Sequence, residues 1–244
     1  MSNSFLNARD DLNLPKSYHS PQIDVEFKLN TNESPFELPK TFTDELKKEL
    51  ENLTLNRYPD RNSRTLKKLI AKKNSLSEEE VFVANGSNEL IQTIFLAYGG
   101  PLRKVLIFEP TYAMHSQIAK VTGTKVILGT RNPSFEIIEK DALKLIETEK
   151  PEIVFLCSPN NPTGGVEDPK FIETILNSLK KYGGLLVVDE AYEGFSESSA
   201  FKLFSQDSPL VIIRTFSKLW ALAGLRIGYL FAPNYFINEF EKVC

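Results

Sequence analysis

Five stretches of this sequence carry polar groups just beyond runs that read as β-strands. In "RTFSKLWALAGLRIGY", Lys218 follows an apolar run, and Arg226 stands eight residues further on, after the small and apolar "ALAG". "LLVVDEAY" ends an apolar run on Asp189, where a carboxylate is costly to bury unless a cation or a donor meets it. "SPNNPTGG" carries Asn161 in a loop fixed by two prolines and two glycines. "EPTYAMH" brings Tyr112 to the end of another run. "NGSNE" sets Gly86, Ser87 and Asn88 at a strand-to-helix turn, where backbone amides and the helix dipole favour an anion. Each piece also has a plain structural reading. Ser87 can be an N-cap, Tyr112 packing, Asn161 part of a turn, and Lys218 and Arg226 solvated charges.

The set is more informative than its members. An anion cradle with a guanidinium, an aromatic face, an amide, a carboxylate and an amine all fall beyond strand ends. One ligand uses them together: pyridoxal phosphate, a phosphorylated pyridine aldehyde. The amine would join the aldehyde. The carboxylate would keep the pyridine nitrogen protonated, so that the ring accepts electrons. The turn and Arg226 would hold the phosphate. A partly dry pocket and the neighbouring Arg226 would both lower the Lys218 pKa, toward the neutral amine such chemistry needs. The small residues of "ALAG" would let the backbone come close.

Those positions depend on a particular architecture. Strands are expected at Val81–Ala84, Lys104–Glu109, Lys125–Gly129, Glu152–Cys157, Leu185–Asp189, Leu210–Arg214 and Arg226–Phe231. Several are apolar throughout, as strands covered on both faces are. Helical patterns lie between most of them, including Ser87–Tyr98 and a stretch from Asp168 that ends on a glycine pair suited to a C-cap. The expected fold is therefore α/β, a mainly parallel, doubly wound sheet of seven strands. Ligands in such sheets sit beyond the carboxyl ends of the strands. Residues 1–79 differ in character and are read as an extended arm with two amphipathic helices, around Phe42–Asn52 and Ser63–Lys73; residues 80–244 are read as the cofactor-binding large domain. The final stretch, "NYFINEFEKVC", reads as the middle of another helix and suggests further chain.

Composition narrows the class. The chain is 41% hydrophobic and 25% charged with net charge −3, which suits a globular protein and offers nothing to nucleic acid or an anionic membrane. Two cysteines make neither a disulfide framework nor a metal-binding pattern and fit a reducing cytoplasm. No signal peptide is read at the N-terminus, and no apolar run approaches the ~20 residues needed to cross a bilayer. "LLVVDEAY" looks like a Walker B strand, but no G-x-x-x-x-G-K-[ST] loop accompanies it. The dinucleotide motif G-x-G-x-x-G and the hydrolase elbow G-x-S-x-G are also missing.

From "LNTNESP" through "NRYPD", "NGSNELI", "PTYAMH", "CSPNNPTG" and "VVDEAY" to "RTFSKLWALAGLRIGY", the ordered series resembles the fold-type-I pyridoxal-phosphate aminotransferases, most closely the histidinol-phosphate aminotransferase family. The resemblance implies that Lys218 carries the cofactor and shuttles a proton, and that Asp189 pairs with the pyridine nitrogen. It implies that Asn161 and Tyr192 reach the ring hydroxyl oxygen and that Tyr112 stacks on the ring. Ser87, Asn88, Thr215 or Ser217, and Arg226 would bind the phosphate. Tyr58 would reach the phosphate in a second subunit, implying a homodimer with shared active sites. Tyr18 and Asn32 are substrate contacts on the same basis. The implied reaction moves an amino group between histidinol phosphate and 2-oxoglutarate, in histidine biosynthesis. The same fold and cofactor also serve phosphothreonine-type decarboxylases and aromatic aminotransferases. The resemblance implies a C-terminal small domain with substrate-binding arginines, which is expected to be absent from this chain. The implied outcome is a chain that binds cofactor with little or no turnover, or a scaffold without chemistry.

Overall fold

The structure, a computed structural model, describes residues 6, 9, 12, 21 and 23–244. Seven strands form one sheet: β1 (Val81–Ala84), β2 (Lys104–Glu109), β3 (Lys125–Thr130), β4 (Ile153–Cys157), β5 (Leu185–Asp189), β6 (Leu210–Thr215) and β7 (Gly228–Phe231). Their order across the sheet is β1-β7-β6-β5-β4-β2-β3. Strands β2 to β6 pair in parallel, while β7 runs antiparallel to both β1 and β6.

The central parallel strands β4, β5 and β6 are buried on both faces because their alternate residues feed two cores, whereas the edge strand β3 is largely exposed. Val154, Leu156, Leu186, Val188 and Ile212 point into one core, with Ile146 of α5 (Glu139–Glu149) and Ile175 of α6 (Pro169–Lys180). Ile153, Phe155, Leu185, Val187 and Ile213 point into the other, with Ile94 of α3 (Ser87–Tyr98), Ala119 of α4 (Ala113–Val121) and Phe240 of α7 (Asn234–Phe240). This is why the strands read as continuous apolar runs rather than alternating ones. α6 begins where Asp168 accepts the Lys170 amide at 2.8 Å, with Pro169 in the first turn. Before the sheet lie α1 (Lys40–Glu51) and α2 (Arg64–Asn74), within two residues of the expected boundaries. Among the described residues no helix is long and apolar enough to cross a membrane.

Two local expectations are corrected. The last strand begins at Gly228 rather than Arg226, because Arg226 adopts a left-handed backbone (φ 55°) after a 3-10 turn at Ala223–Leu225. Ser87 is not the N-cap of α3. Gly86 holds that place with φ 82°, and Ser87 is the first helical residue.

A buried ion pair ties the ends of β5 and β6 together. Arg214 of β6 donates to Glu190 Oε2 from Nε (3.1 Å) and Nη2 (2.9 Å), and Glu190 also accepts the Ala200 amide at 2.6 Å. Burial pushes the Glu190 carboxyl above its ordinary range, and the guanidinium opposes that push. Removing one partner strands the other. Arg214→Ala is therefore expected to cost about 3–5 kcal/mol of stability in urea denaturation, well above an exposed Lys47→Ala control.

Candidate active site

The antiparallel strand β7 assembles the site. Gly228 at its start pairs with Thr215 at the end of β6 and with Ala84 at the end of β1. Reversal of β7 thus brings its first residues, and Arg226 just before them, to the sheet edge where β1 and β6 end. Asp189 ends β5 beside Cys157 of β4 in the same row. The result is a cavity of about 600 Å³ at the carboxyl edge of the parallel strands.

One end of the cavity is an anion cradle. The start of α3 follows Gly86, and the Arg226 guanidinium lies so close above Gly86 that a Cβ there would sit 2.3 Å from Nη2. Gly228 closes on the same turn from the other side; its Cβ would lie 2.6 Å from the Gly86 carbonyl carbon and 2.7 Å from the Ser87 nitrogen. The Gly228 contact is with backbone, which could not yield without opening the turn, and Gly86 holds a left-handed φ of 82° that a side chain would strain. Ser87, Asn88, Thr215 and Ser217 line the cavity beside it. The Thr215 hydroxyl lies 3.0 Å from Ser217 Oγ and accepts the Ser217 amide at 3.1 Å. A helix N-terminus, hydroxyls and a guanidinium form a site for a doubly charged oxyanion such as a phosphate monoester.

The floor is a buried carboxylate. Asp189 is 2% exposed; His115 Nε2 lies 2.8 Å from Oδ2, and the Ala191 amide donates to Oδ1 at 3.0 Å. His115 is itself 1% exposed, with its ring centroid 4.9 Å from Phe155 and 5.4 Å, edge-on, from Tyr112. The Tyr112 hydroxyl donates to Asn88 Oδ1 at 3.1 Å, which ties the aromatic wall to the start of α3. Asn161 lines the cavity opposite, and its neighbour Asn160 pins the loop by donating to the Pro110 carbonyl at 3.1 Å.

The amine stands over this floor. Lys218 Nζ donates to the carbonyls of Thr31 (2.8 Å) and Asn32 (3.1 Å), which cross the mouth of the cavity. The Asn32 amide donates to the Tyr192 hydroxyl at 2.9 Å. Burial holds the Lys218 pKa below the usual lysine value, and the Arg226 charge adds to that; Glu33 and Asp189 oppose it. Burial pushes the Tyr192 phenol up, against the hydrogen bond from Asn32.

Ser87, Asn88, Tyr112, Asn161, Asp189, Tyr192, Thr215, Ser217, Lys218, Arg226 and Asn32 thus line one cavity. Tyr58 does not; its side chain is fully exposed. Tyr18 lies outside the described residues. Sequence reading missed His115, which stands three residues after Tyr112 on the face of α4 that buries Ile118 and Ala119. A polar residue on that otherwise apolar face was the available signal. It also missed that the backbone carbonyls of Thr31 and Asn32, within "LNTNESP", meet Lys218.

The residues fit a planar, phosphorylated heterocycle. The cradle admits one phosphate-sized anion, the fixed carboxylate below can hold a ring N–H, and the amine is within the same walls. Comparisons with known proteins agree. The family profile "Aminotransferase class I and II" matches residues 25–243. The chain is 39% identical over 243 residues to the histidinol-phosphate aminotransferase of Corynebacterium diphtheriae, covering 96% of this chain and 66% of that protein. It superposes on the crystal structure of the histidinol-phosphate aminotransferase from Clostridium acetobutylicum with a TM-score of 0.77 at 26% identity, over 88% of this chain and 63% of that one. The fold is shared with the Sinorhizobium meliloti histidinol-phosphate aminotransferase, solved in complex with pyridoxal-5'-phosphate (TM-score 0.80, 22% identity, 88% of this chain and 58% of that one). The chain thus spans just under two thirds of the length of the first two proteins.

Two variants test this geometry. Gly228→Ala, which forces a methyl into the turn, is expected to weaken inorganic phosphate binding by about tenfold or more, roughly 1.4 kcal/mol, in a calorimetric titration. His115→Phe keeps the ring but leaves Asp189 Oδ2 without its partner, and is expected to cost roughly 1–3 kcal/mol in thermal unfolding.

Proposed function

The chain belongs to the class I and II aminotransferase family, and on that premise we propose that it forms the cofactor-holding part of a pyridoxal-phosphate-dependent transaminase. The reaction we assign is amino transfer between histidinol phosphate and 2-oxoglutarate, a step of histidine biosynthesis. One observation carries the reading: Lys218, Asp189, Ser87 and Arg226 line a single cavity. The substrate assignment draws on relatives named histidinol-phosphate aminotransferase that match 96% of this chain. A cytoplasmic location goes with that biosynthetic role.

Pyridoxal phosphate, when bound, supplies an aldehyde for amine exchange and an electron sink for the donor's α carbon. Arg226, Ser87 and Asn88, with Thr215 or Ser217 and the amides at the start of α3, would hold its phosphate. Asp189, oriented by His115 and the Ala191 amide, would keep a proton on the ring nitrogen. Tyr112 would offer its face to the ring, and Asn161 and Tyr192 would reach the ring oxygen. Lys218 would have two tasks at one atom: its Nζ would anchor the cofactor and, once released, would take and hold the proton from the donor's α carbon. Both tasks need the neutral amine, which burial favours. The apolar wall around His115 and Phe155 keeps water from the floor of the site. Tyr58, exposed on this chain, would enter the site of a second copy in a homodimer.

The test is spectroscopic. Mixed with pyridoxal phosphate, the chain is expected to develop a visible absorbance band that Lys218→Ala does not show. Adding histidinol phosphate should bleach the band at lower concentration than phenylalanine does. A band that survives in Lys218→Ala would overturn the reading, and equal response to both amines would overturn the choice of substrate.

A further inference from the structure

The loop "SPNNPTGG" carries two asparagines, and the cofactor site uses only the second. Asn161 lines the cavity, whereas Asn160, one residue earlier, is 3% exposed. The buried amide makes three hydrogen bonds. Its Nδ2 donates to the Pro110 carbonyl at 3.1 Å and to Thr163 Oγ1 at 2.8 Å, and its Oδ1 accepts the Thr111 hydroxyl at 2.7 Å. A carbonyl can only accept, so Pro110 fixes which end of the amide faces it and leaves Oδ1 for Thr111. The Asn160 backbone closes the loop on itself: its N–H donates to the Gly165 carbonyl and its carbonyl accepts the Gly164 amide, each at 2.7 Å. At the start of the same loop, the Ser158 amide donates to the Asp189 carbonyl at 3.0 Å.

We propose that Asn160 is a positioning residue that sets Asn161 and Tyr112 relative to each other across the cavity. The inference rests on reading that cavity as the cofactor site. Two loops meet at this one amide. Residues 110–112 follow β2 and lead into α4, with Tyr112 as its N-cap. Residues 158–165 follow β4 and carry Asn161. Strands β2 and β4 are neighbours, but their ladder ends at the Ile107–Phe155 pair, short of both loops. Beyond that pair, Asn160 supplies bonds that cross from one loop to the other. Tyr112 would lie on the face of the ring and Asn161 at its oxygen, so the distance between these loops sets where the ring can sit. An amide suits the task because one planar group offers two donors and an acceptor. A carboxylate would turn an oxygen toward the Pro110 carbonyl, and a methyl would leave buried groups unpaired. Through Ser158 and the Asp189 carbonyl, the same loop is registered on the carboxylate at the floor.

Two measurements test the role. Amide hydrogen exchange of the chain alone, read by mass spectrometry, is expected to be about tenfold faster or more in Asn160→Ala, both at residues 111–115 and at residues 160–165, since buried pairings on both sides are lost. Faster exchange at residues 160–165 alone would overturn the coupling. The second measurement follows the visible band of the chain mixed with pyridoxal phosphate across a pH series. A hydrogen bond donated to the ring oxygen favours its deprotonated form, so Asn161→Ala should raise the midpoint of the band by roughly 0.5–1 pH unit. Asn160→Ala is expected to raise it as well, and to add nothing in the Asn161→Ala background. Asn160→Asp keeps the acceptor for Thr111 but loses both donors, and should behave as Asn160→Ala does. Thr111→Val removes one of the three bonds and keeps the rest, so it reads the same shift, smaller, should Asn160→Ala not fold. A lowered melting temperature with an unmoved midpoint, or a shift that adds to that of Asn161→Ala, would overturn the positioning role. A wild-type chain that develops no band would instead sink the functional reading, and the exchange result then decides the coupling of the two loops by itself.

Discussion

A carboxylate placed at the end of a fully apolar strand is the constraint around which this chain is organised. Asp189 is 2% exposed, and the four residues before it are buried without exception. Such a group is tolerable only with partners that cannot move away. The chain supplies one from its own backbone, the Ala191 amide, and one from a separate helix, His115 of α4. His115 is in turn fixed between Phe155 beneath and Tyr112 beside it. Because Tyr112 also bonds to Asn88, the floor, the aromatic wall and the helix that opens the anion cradle form one connected structure.

The second organising fact is the reversal of β7. A sheet of parallel strands alone would deliver only carboxyl ends to the site edge. Antiparallel β7 delivers its beginning there instead, so that Arg226 and Gly228 join Gly86 and Thr215. Gly228 and Gly86 are glycines for a steric reason: each faces backbone or a guanidinium at a distance no Cβ occupies. The same close approach aims the helix terminus and the guanidinium at a common point, which is what an anion site needs. Behind it, the Glu190–Arg214 pair joins the loop after β5 to the end of β6, and so holds the carboxylate and the amine in one frame.

Charge at the amine is balanced rather than simply suppressed. Burial and Arg226 favour the neutral form of Lys218; Glu33 and Asp189 favour the ammonium. In the proposed role, an amine that acts first as the cofactor's anchor and then as a proton carrier benefits from lying between those limits.

Much of this was legible in the residues themselves. The seven apolar runs are the seven strands; for the central ones, burial on both faces leaves a continuous hydrophobic signature that needs no tertiary information. The turn-forming residues after those runs located the polar groups at one edge, and a parallel sheet has only one such edge to offer. Other features were decided by the folded chain alone. The left-handed backbone at Arg226, the place of Gly86 at the helix cap, and the reversal of β7 depend on which strands become neighbours. His115 reads locally as one polar residue on an apolar helix face, and only the packing of α4 on β2 and β3 brings it to Asp189. Thr31 lies 187 residues from Lys218 in sequence, yet its carbonyl accepts from the lysine Nζ at 2.8 Å, so no local pattern could connect them. Local sequence determines which segments are buried and where they turn; which side chains then share a charge or a proton is settled by long-range contact, and that exists only in three dimensions.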